Sequence, residues 1–450
     1  MRDSSFYKRL ITLALPMVFQ DLMLASVAAA DAIMLGNVEQ NMMSAVSLAT
    51  QIQFIQNMIL FTVTSAVAVL GSQYWGKADR KSLDEIFCLG LRLSGAVSVA
   101  FFVATVFFPR QMMHILTNEP DLIELGIKYL RIAGWSYLLT GVSQCYLKVM
   151  KITGRQVMSA AISTTAVLLN IFGNAVFIFG LFGIKALGVE GAALSTLIAR
   201  IVELVWSVSV SFGRKSIRPS FRNLFRRPKQ LTKDFYKVFV PLAVAGILWG
   251  VSFASYSAFM GHLGTDTAAA NSVAAVVRDL VCSMCNGISG AAGVIVGNEL
   301  GVGNLDRAKV YGVRLMKISY VVGGLSTILM LASLPFLLVL VKLTPEAKKL
   351  LIGMMIIMGV YMIGRCVNTV IINGIFSAGG DTAFDMYSLT AMTWGLAVPL
   401  AFAGTFLFGW HPLIVYACTC VDEVGKIPWV MIHFKKYKWL KDLTREREDV

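Results

Sequence analysis

The sequence predicts an all-α polytopic membrane protein with twelve transmembrane helices, arranged as two six-helix bundles related by pseudo-twofold symmetry. Three observations support this fold class. Of the 450 residues, 56% are hydrophobic and only 15% are charged, which is more apolar surface than a water-soluble chain of this length can hide. The apolar segments recur at about 20 residues or more, the length that crosses a bilayer as a helix. Finally, the second half of the sequence repeats the first.

Twelve apolar segments are predicted to span the membrane, and this even number places both termini on the same side. Their approximate spans are 10–36, 44–70, 86–108, 122–147, 156–182, 188–212, 235–260, 268–298, 308–334, 350–376, 383–408 and 411–434. Lys and Arg gather in alternate loops and in the C-terminal tail, whereas the segments 37–43 and 261–267 have none. Because cytoplasmic loops are rich in Lys and Arg, both termini are predicted to be cytoplasmic in a multi-pass protein of the cytoplasmic (inner) membrane.

The first span carries two carboxylates, Asp21 and Asp31. An ionised carboxylate in hydrocarbon needs a partner, a bound cation or a proton. At 1.5 Å per residue the two lie about 15 Å apart along the axis and are turned by roughly 80°, so they can line one cavity without touching. Each carboxylate also has a purely structural interpretation. In that interpretation Asp31 lies at a helix end among the headgroups, and Asp21 pairs locally with Gln20 or with a neighbouring helix.

The repeat has a constant offset over its main landmarks. Pro16 and Pro241 lie 225 positions apart, and so do Gly76 and Gly301. Six spans per half make a parallel repeat, with its axis along the membrane normal. The predicted domains are therefore an N-terminal bundle over 1–213, a basic cytoplasmic linker over 214–234, and a C-terminal bundle with a short tail over 235–450. The repeated loops at 76–80 and 301–307 are predicted to be cytoplasmic hinges and helix caps.

This organisation indicates a secondary transporter, in which two bundles expose a midplane site alternately to each side. The net charge of +14 does not indicate nucleic-acid binding, because basic clusters beside spans contact lipid headgroups. No ATP-binding loop, metal cluster or nucleophile triad is present in the sequence, so neither enzyme activity nor a cofactor is predicted. The predicted partners are small organic substrates and the lipid bilayer, without nucleic acid, and the protein is predicted to be monomeric.

Several motifs carry a family resemblance over nearly the whole chain. They are DAIMLGNVEQNMMSAVSLATQI at 31–52, GSQYWGKADRKS at 71–82, VGNELGVGNLDRAK at 296–309, GIFSAGGDT at 374–382 and DEVGK at 422–426. In this order and spacing the sequence resembles the multidrug and toxin extrusion (MATE) family. The resemblance implies an antiporter that exports organic, often cationic, compounds in exchange for Na⁺ or H⁺.

The resemblance also implies a cation or proton site at Asp31, with Asn170, Asn174 and Thr196 as its polar neighbours. The residue types agree with this role. Asn170 and Asn174 are four apart and share one helix face, and amide, hydroxyl and carboxylate oxygens suit Na⁺ as hard ligands. Asp31, Asn170 and Asn174 are the predicted Na⁺ ligands. The same cage can instead tune Asp31 for proton exchange, and ordinary interhelical hydrogen bonding is the structural alternative.

Candidate residues for the substrate cavity come from both halves. They are Asp21, Gln51, Gln53, Trp249, Tyr256, Asn271, Arg278 and Asp279. Aromatic faces attract organic cations, but polar contacts between helices and core packing are the alternatives for any one of these residues. Adjacent side chains on a helix point about 100° apart, so Arg278 and Asp279 are expected not to face each other, and each to find a partner elsewhere or a wet cleft.

The second half lacks the acids that the family often has. No acid follows Pro241 on the seventh span, and the tenth span offers Arg365 but no carboxylate. Glu423 and Lys426 are expected to pair on the last span or to cap its inner end.

Two other transporter classes compete with this interpretation. The first, the major-facilitator class, has the loop pattern Asp-Arg-x-Gly-Arg, which residues 79–83 do not meet. The second is a MATE-related flippase for lipid-linked oligosaccharides. It needs a strongly basic central cavity, for which Arg278 and Arg365 are the obvious candidates.

Overall fold

The structure, a computed structural model, describes residues 2–36, 40–183, 185–213, 217, 219–225, 229–341 and 343–445. Within these ranges the chain forms twelve long helices. They are α1 (Arg2–Gly36), α2 (Gln40–Gly76), α3 (Arg80–Phe107), α4 (Pro120–Ile152), α5 (Gln156–Phe179), α6 (Val189–Ser211), α7 (Lys229–His262), α8 (Thr265–Gly301), α9 (Leu305–Leu340), α10 (Pro345–Phe376), α11 (Ala383–Leu407) and α12 (Pro412–Lys435). Short helical segments at Pro109–Leu116, Leu181–Gly183 and Phe221–Phe225 lie between them.

Each predicted span coincides with one of these helices, which confirms the predicted all-α fold. Several helices are longer than the predicted spans: α1 begins at Arg2 rather than residue 10, and α2 ends at Gly76 rather than residue 70. The apolar pattern marks only the part that lies in hydrocarbon, whereas the helices continue into polar ends. Among the described residues, ten helices are long and apolar enough to cross a membrane. The remaining two, α4 and α12, carry polar or charged residues within their apolar stretches.

The chain forms two compact units, and α1 and α2 each contribute to both. One unit comprises Met1–Asp21, Ser72–Lys77 and Tyr236–Val450, and the other comprises Leu22–Gly71 and Ala78–Phe235. In the first unit, apolar residues of α1, α8, α10 and α12 share a core that includes Phe6, Phe376 and Trp439. The second unit has a core around Tyr137 of α4. The domain boundaries at 213 and 235 stay a prediction.

The repeated loops begin helices in the same way. Asp79 caps α3, because its Oδ1 accepts a hydrogen bond from the Ser82 backbone N–H at 3.0 Å. At the position 225 residues later, Asn304 caps α9 and accepts from the Arg307 N–H at 3.2 Å. Such side-chain caps satisfy donors that a helix start leaves unpaired. The two loops are therefore helix caps, as predicted.

Two glycines at repeat-related positions let the C-terminal ends of α2 and α8 touch. A Cβ atom added to Gly76 would lie 2.2 Å from the Asn298 carbonyl oxygen, and one added to Gly301 would lie 1.9 Å from the Gln73 carbonyl oxygen. Gln73 and Asn298 are themselves 225 positions apart. Each contact is thus the repeat-related copy of the other, which agrees with the predicted parallel repeat.

We expect Gly301→Ala to destabilise the protein, because a methyl group has no room against the backbone of Gln73. Overpacking of this kind costs about 1–3 kcal/mol. The measurement is the melting temperature of the purified protein in detergent. Gly324→Ala in α9 is the matched control, since an added Cβ there meets nothing within 4 Å. Equal melting temperatures for the two variants would show that the α2–α8 crossing tolerates a side chain.

The C-terminal tail packs against the C-terminal end of α2. The buried Gln73 amide donates to the carbonyl oxygens of Ala378 at 2.6 Å and Lys441 at 3.1 Å, and it accepts from the Leu443 N–H at 2.6 Å. Trp439 is fully buried beside Phe434, with ring centroids 5.4 Å apart. The tail is therefore an integral part of this unit.

Candidate functional site

The predicted polar residues of α5 and α6 do come together. Asn170 Nδ2 donates to Thr196 Oγ1 at 3.0 Å, and Ser195 Oγ donates to Asn174 Oδ1. Asn170 and Asn174 are 4% and 0% exposed, so this cluster is screened from solvent. Ser195 is the member that the sequence did not single out, although it directly precedes Thr196.

Close packing of the two helices makes these contacts possible. A Cβ atom on Gly173 would lie 2.7 Å from the Ser195 Cβ, so only a glycine lets α6 approach α5 at this point. Gly173 sits between the two asparagines on α5, and the short side chains of Ser195 and Thr196 can then reach the amides. The glycine therefore positions the whole cluster.

One acceptor in the cluster has no hydrogen-bond partner. The Asn170 Oδ1 atom is buried and makes no hydrogen bond within the described part of the chain. Leaving a buried acceptor unsatisfied costs about 1–3 kcal/mol. A cation or a donated proton at this oxygen would remove that cost.

The acidic candidates of α1 are described only in part. The backbone of Asp31 is helical within α1, but its side chain lies outside the described residues. Asp21 is half-buried. It is the last residue of the segment Met1–Asp21 of its compact unit. On α2, Gln51 is exposed and Gln53 is half-buried.

A second buried polar group links α4 and α6. Glu203 is 1% exposed. Its carboxylate accepts hydrogen bonds from Ser143 Oγ at 2.7 Å and from Arg200 Nη1 at 2.9 Å. Arg200 and Glu203 are three residues apart on α6, where such pairs face each other. This spacing was the available sequence signal, but Ser143 comes from a distant helix and could not be assigned.

A set of buried charged side chains lies on α10 and α12. Arg365 Nη1 contacts Glu423 Oε1 at 3.0 Å, and Asn368 Nδ2 donates to Glu423 Oε2 at 2.7 Å. The Lys426 Nζ atom lies 3.8 Å from Glu423 Oε1 and 3.8 Å from Asp422 Oδ2. All of these charged side chains are 18% exposed or less. We call Arg365, Asp422, Glu423 and Lys426 the C-terminal charge network.

The network lies near the middle of α12 rather than at its end. Glu423 is about midway between Pro412 and Lys435, roughly 17 Å from either end at 1.5 Å per residue. The expected pairing of Glu423 with Lys426 is confirmed, whereas a cap at the inner end is not formed by these residues. Charges at this depth are expensive and mark functional regions. Sequence reasoning named Arg365, Glu423 and Lys426 but did not join them into one group, although three charges within the apolar α12 were a signal.

The aromatic residues of α7 face the guanidinium groups. Arg365 lies 5.8 Å from the Trp249 ring centroid, and Arg278 lies 4.7 Å from that of Phe253. The Tyr256 hydroxyl is buried without a hydrogen-bond partner among the described residues. The Trp249 face thus already contacts a cation of the protein itself. Asn271 on α8 is half-buried.

The expectation for Arg278 and Asp279 was wrong. Arg278 Nε donates to Asp279 Oδ1 at 3.0 Å. The long arginine side chain folds back along the helix surface, so the angle between adjacent Cβ directions does not keep the charges apart. Asp279 is 63% exposed, which leaves the pair at the edge of the unit.

Comparison with known proteins identifies the family. The family model described as MatE matches residues 16–176 and again residues 241–403. The chain belongs to the MatE family. The two matches start 225 residues apart, in agreement with the repeat. MATE proteins are transporters and not enzymes, and together with the apolar helices this makes the chain a multi-pass membrane protein.

Relatives and solved structures agree with this assignment. The chain is 24% identical over 385 residues to the uncharacterised transporter YisQ of Bacillus subtilis, covering 85% of this chain and 83% of YisQ. It is 24% identical over 451 residues to the probable multidrug resistance protein NorM of Thermotoga maritima, covering 98% and 95%.

The fold is shared with MATE transporters of known structure. A variant of the Vibrio cholerae MATE transporter VcmN superposes with a TM-score of 0.86 at 15% identity, covering 97% of this chain and 99% of VcmN. A MOP superfamily transporter from Pyrococcus furiosus gives a TM-score of 0.85 at 16% identity, covering 95% and 96%. Membership of the MatE family excludes the major-facilitator alternative.

Proposed function

We propose that this MatE transporter exports organic, chiefly cationic compounds from the cell in exchange for Na⁺ or H⁺, with Asp31 as the cation or proton site. Relatives that match over most of their length are named as multidrug resistance proteins. The transporter is proposed to be a monomer in the cytoplasmic membrane with both termini in the cytoplasm, because the basic loops lie on that predicted side.

The observation that carries the proposal is the buried, unpartnered Oδ1 atom of Asn170. It belongs to the compact unit that also contains the α1 segment from Leu22 onwards. Na⁺ prefers oxygen ligands, and Asn170, Asn174 and Thr196 supply amide and hydroxyl oxygens. Asp31 would supply the negative charge that makes cation or proton uptake favourable.

The membrane potential contributes free energy to this exchange when more positive charge enters the cell than leaves it. Each net elementary charge that moves inward through 100 mV releases about 2.3 kcal/mol, which corresponds to roughly fifty-fold accumulation of a substrate. Binding at Asp31 would change which side the substrate cavity faces, because the occupied and empty forms of the site stabilise different arrangements of α1.

The flippase alternative gains no support from the charged residues. Both candidate basic residues contact carboxylates, Arg278 with Asp279 and Arg365 with Glu423. A site for a polyanionic lipid-linked sugar needs positive charge in excess.

Transport by membrane vesicles tests the proposed function. Vesicles containing the purified protein are loaded with a fluorescent organic cation, and a Na⁺ gradient and a pH gradient are imposed separately. We expect one gradient to accelerate efflux and its collapse by an ionophore to stop it. Efflux equal to that of protein-free vesicles under both gradients would contradict the proposal.

A further inference from the structure

Lys426 occupies an unusual position between two carboxylates. Its ammonium group is buried, with a side chain 3% exposed, and lies 3.8 Å from Asp422 Oδ2 and 3.8 Å from Glu423 Oε1. Asp422 and Glu423 precede Lys426 by four and three residues on α12, so all three reach the same side of the helix. A single positive charge thus lies between two negative charges.

Neighbouring helices also contribute contacts to the two acids. Thr393 Oγ1 on α11 donates to Asp422 Oδ2 at 2.8 Å. Glu423 has Arg365 at 3.0 Å and Asn368 at 2.7 Å. Asp385 on α11 also interacts electrostatically with Lys426, Glu423 and Arg365.

The charges of the four residues in the C-terminal charge network balance when Lys426 is present, and the nearby Asp385 on α11 adds a further carboxylate. Arg365 and Lys426 are positive, and Asp422 and Glu423 are negative. Without Lys426, one negative charge would stay uncompensated at a depth where the cost of a lone charge is several kcal/mol. A mobile cation or a proton would then be needed, as it is for any isolated buried carboxylate.

We infer that Lys426 is a built-in counter-ion that fills the cation position between Asp422 and Glu423, so that this acidic pair takes up no exchangeable cation during transport. A lysine side chain is covalently attached and cannot be released to either side of the membrane. The ligand that its removal would admit is a monovalent cation, either Na⁺ or a proton. This inference goes beyond the proposed function, because it concerns acids of the other compact unit.

Cation binding by the full-length protein in detergent tests this inference. The measurements are equilibrium binding of radiolabelled Na⁺ and proton uptake at constant pH, both in an Asp31→Asn background. Lys426→Met keeps the length of the side chain and removes its charge. Lys426→Arg, which keeps the charge, is the matched control.

We expect Lys426→Met to gain one saturable Na⁺ site or to take up one proton per chain, and Lys426→Arg to gain neither. Adding Glu423→Gln to Lys426→Met should remove the gain, because the charges of Arg365 and Asp422 then balance. If Lys426→Met is unstable without Na⁺, added Na⁺ should raise its melting temperature through binding to the folded state.

Two results would overturn the inference. One is a folded Lys426→Met variant that gains neither Na⁺ nor a proton and whose melting temperature does not respond to Na⁺. The other is a cation site that is present with Lys426 intact and is lost on Glu423→Gln. A failure of the proposed Asp31 site gives a different result. In that case the Asp31→Asn variant with Lys426 intact would bind cations as the unaltered protein does.

Discussion

Asp31→Asn is expected to abolish ion-driven export while the protein still inserts into the membrane. Asparagine keeps the size of the side chain but carries neither a negative charge nor an exchangeable proton. The ion gradient should therefore no longer drive substrate accumulation, a loss of roughly fifty-fold per 100 mV for each net charge that the exchange carries inward. The measurement is efflux from vesicles at matched protein content, with the gradient that drives the unaltered protein.

The matched control is Asp121→Asn, which removes an exposed carboxylate in the first turn of α4. Its export should stay close to that of the unaltered protein. Unchanged export by Asp31→Asn would remove the proposed coupling site, since no titratable group would be left at that position. Loss of export in both variants would point to a general effect of charge instead.

Glu423→Leu is expected to cause the largest loss of stability among single substitutions in the C-terminal charge network. It leaves Arg365 without its 3.0 Å carboxylate partner and Lys426 with only Asp422. Breaking a buried ion pair by removing one partner costs about 3–5 kcal/mol. Reversible unfolding in mixed detergent micelles measures this difference in free energy.

A double-mutant cycle separates the pair from its surroundings. Arg365→Leu with Glu423→Leu should be more stable than Glu423→Leu alone, because it leaves no unpaired guanidinium. The control is Glu346→Leu, whose carboxylate is 60% exposed and lies 3.7 Å from Lys349. An exposed pair contributes about 0–1 kcal/mol. A Glu423→Leu cost no greater than that of Glu346→Leu would contradict a stabilising role for the network.

The fold could be predicted because its signals are local and repeated. The length of each apolar segment marks one helix, and the constant offset from Pro16 to Pro241 marks two equivalent halves. The helix ends were less accurate, because the polar residues at either end of α1 and α2 continue the helix without adding to the apolar pattern.

The sites were harder, because their partners are distant in sequence. Asn170 and Asn174 could be placed on one face of α5, but Ser195 could be found only once Gly173 showed how closely α6 packs. Glu423 has its strongest partner, Arg365, 58 residues away on another helix. For Arg278 the error was the reverse, because its partner is the adjacent residue, Asp279. Helix geometry alone does not account for the reach of a long side chain.

The packing of the tail against Gln73 has a consequence for biogenesis. The Leu443 N–H that bonds to Gln73 Oε1 lies 370 positions later in the chain. At about 5–20 residues per second, Gln73 is synthesised roughly 20–70 s before this partner. Its amide must therefore stay hydrated or otherwise bonded until the segment around Leu443 has been synthesised and has left the ribosome. The C-terminal end of α2 is accordingly completed only when that later segment packs onto it, which makes this packing a late step in the maturation of the unit.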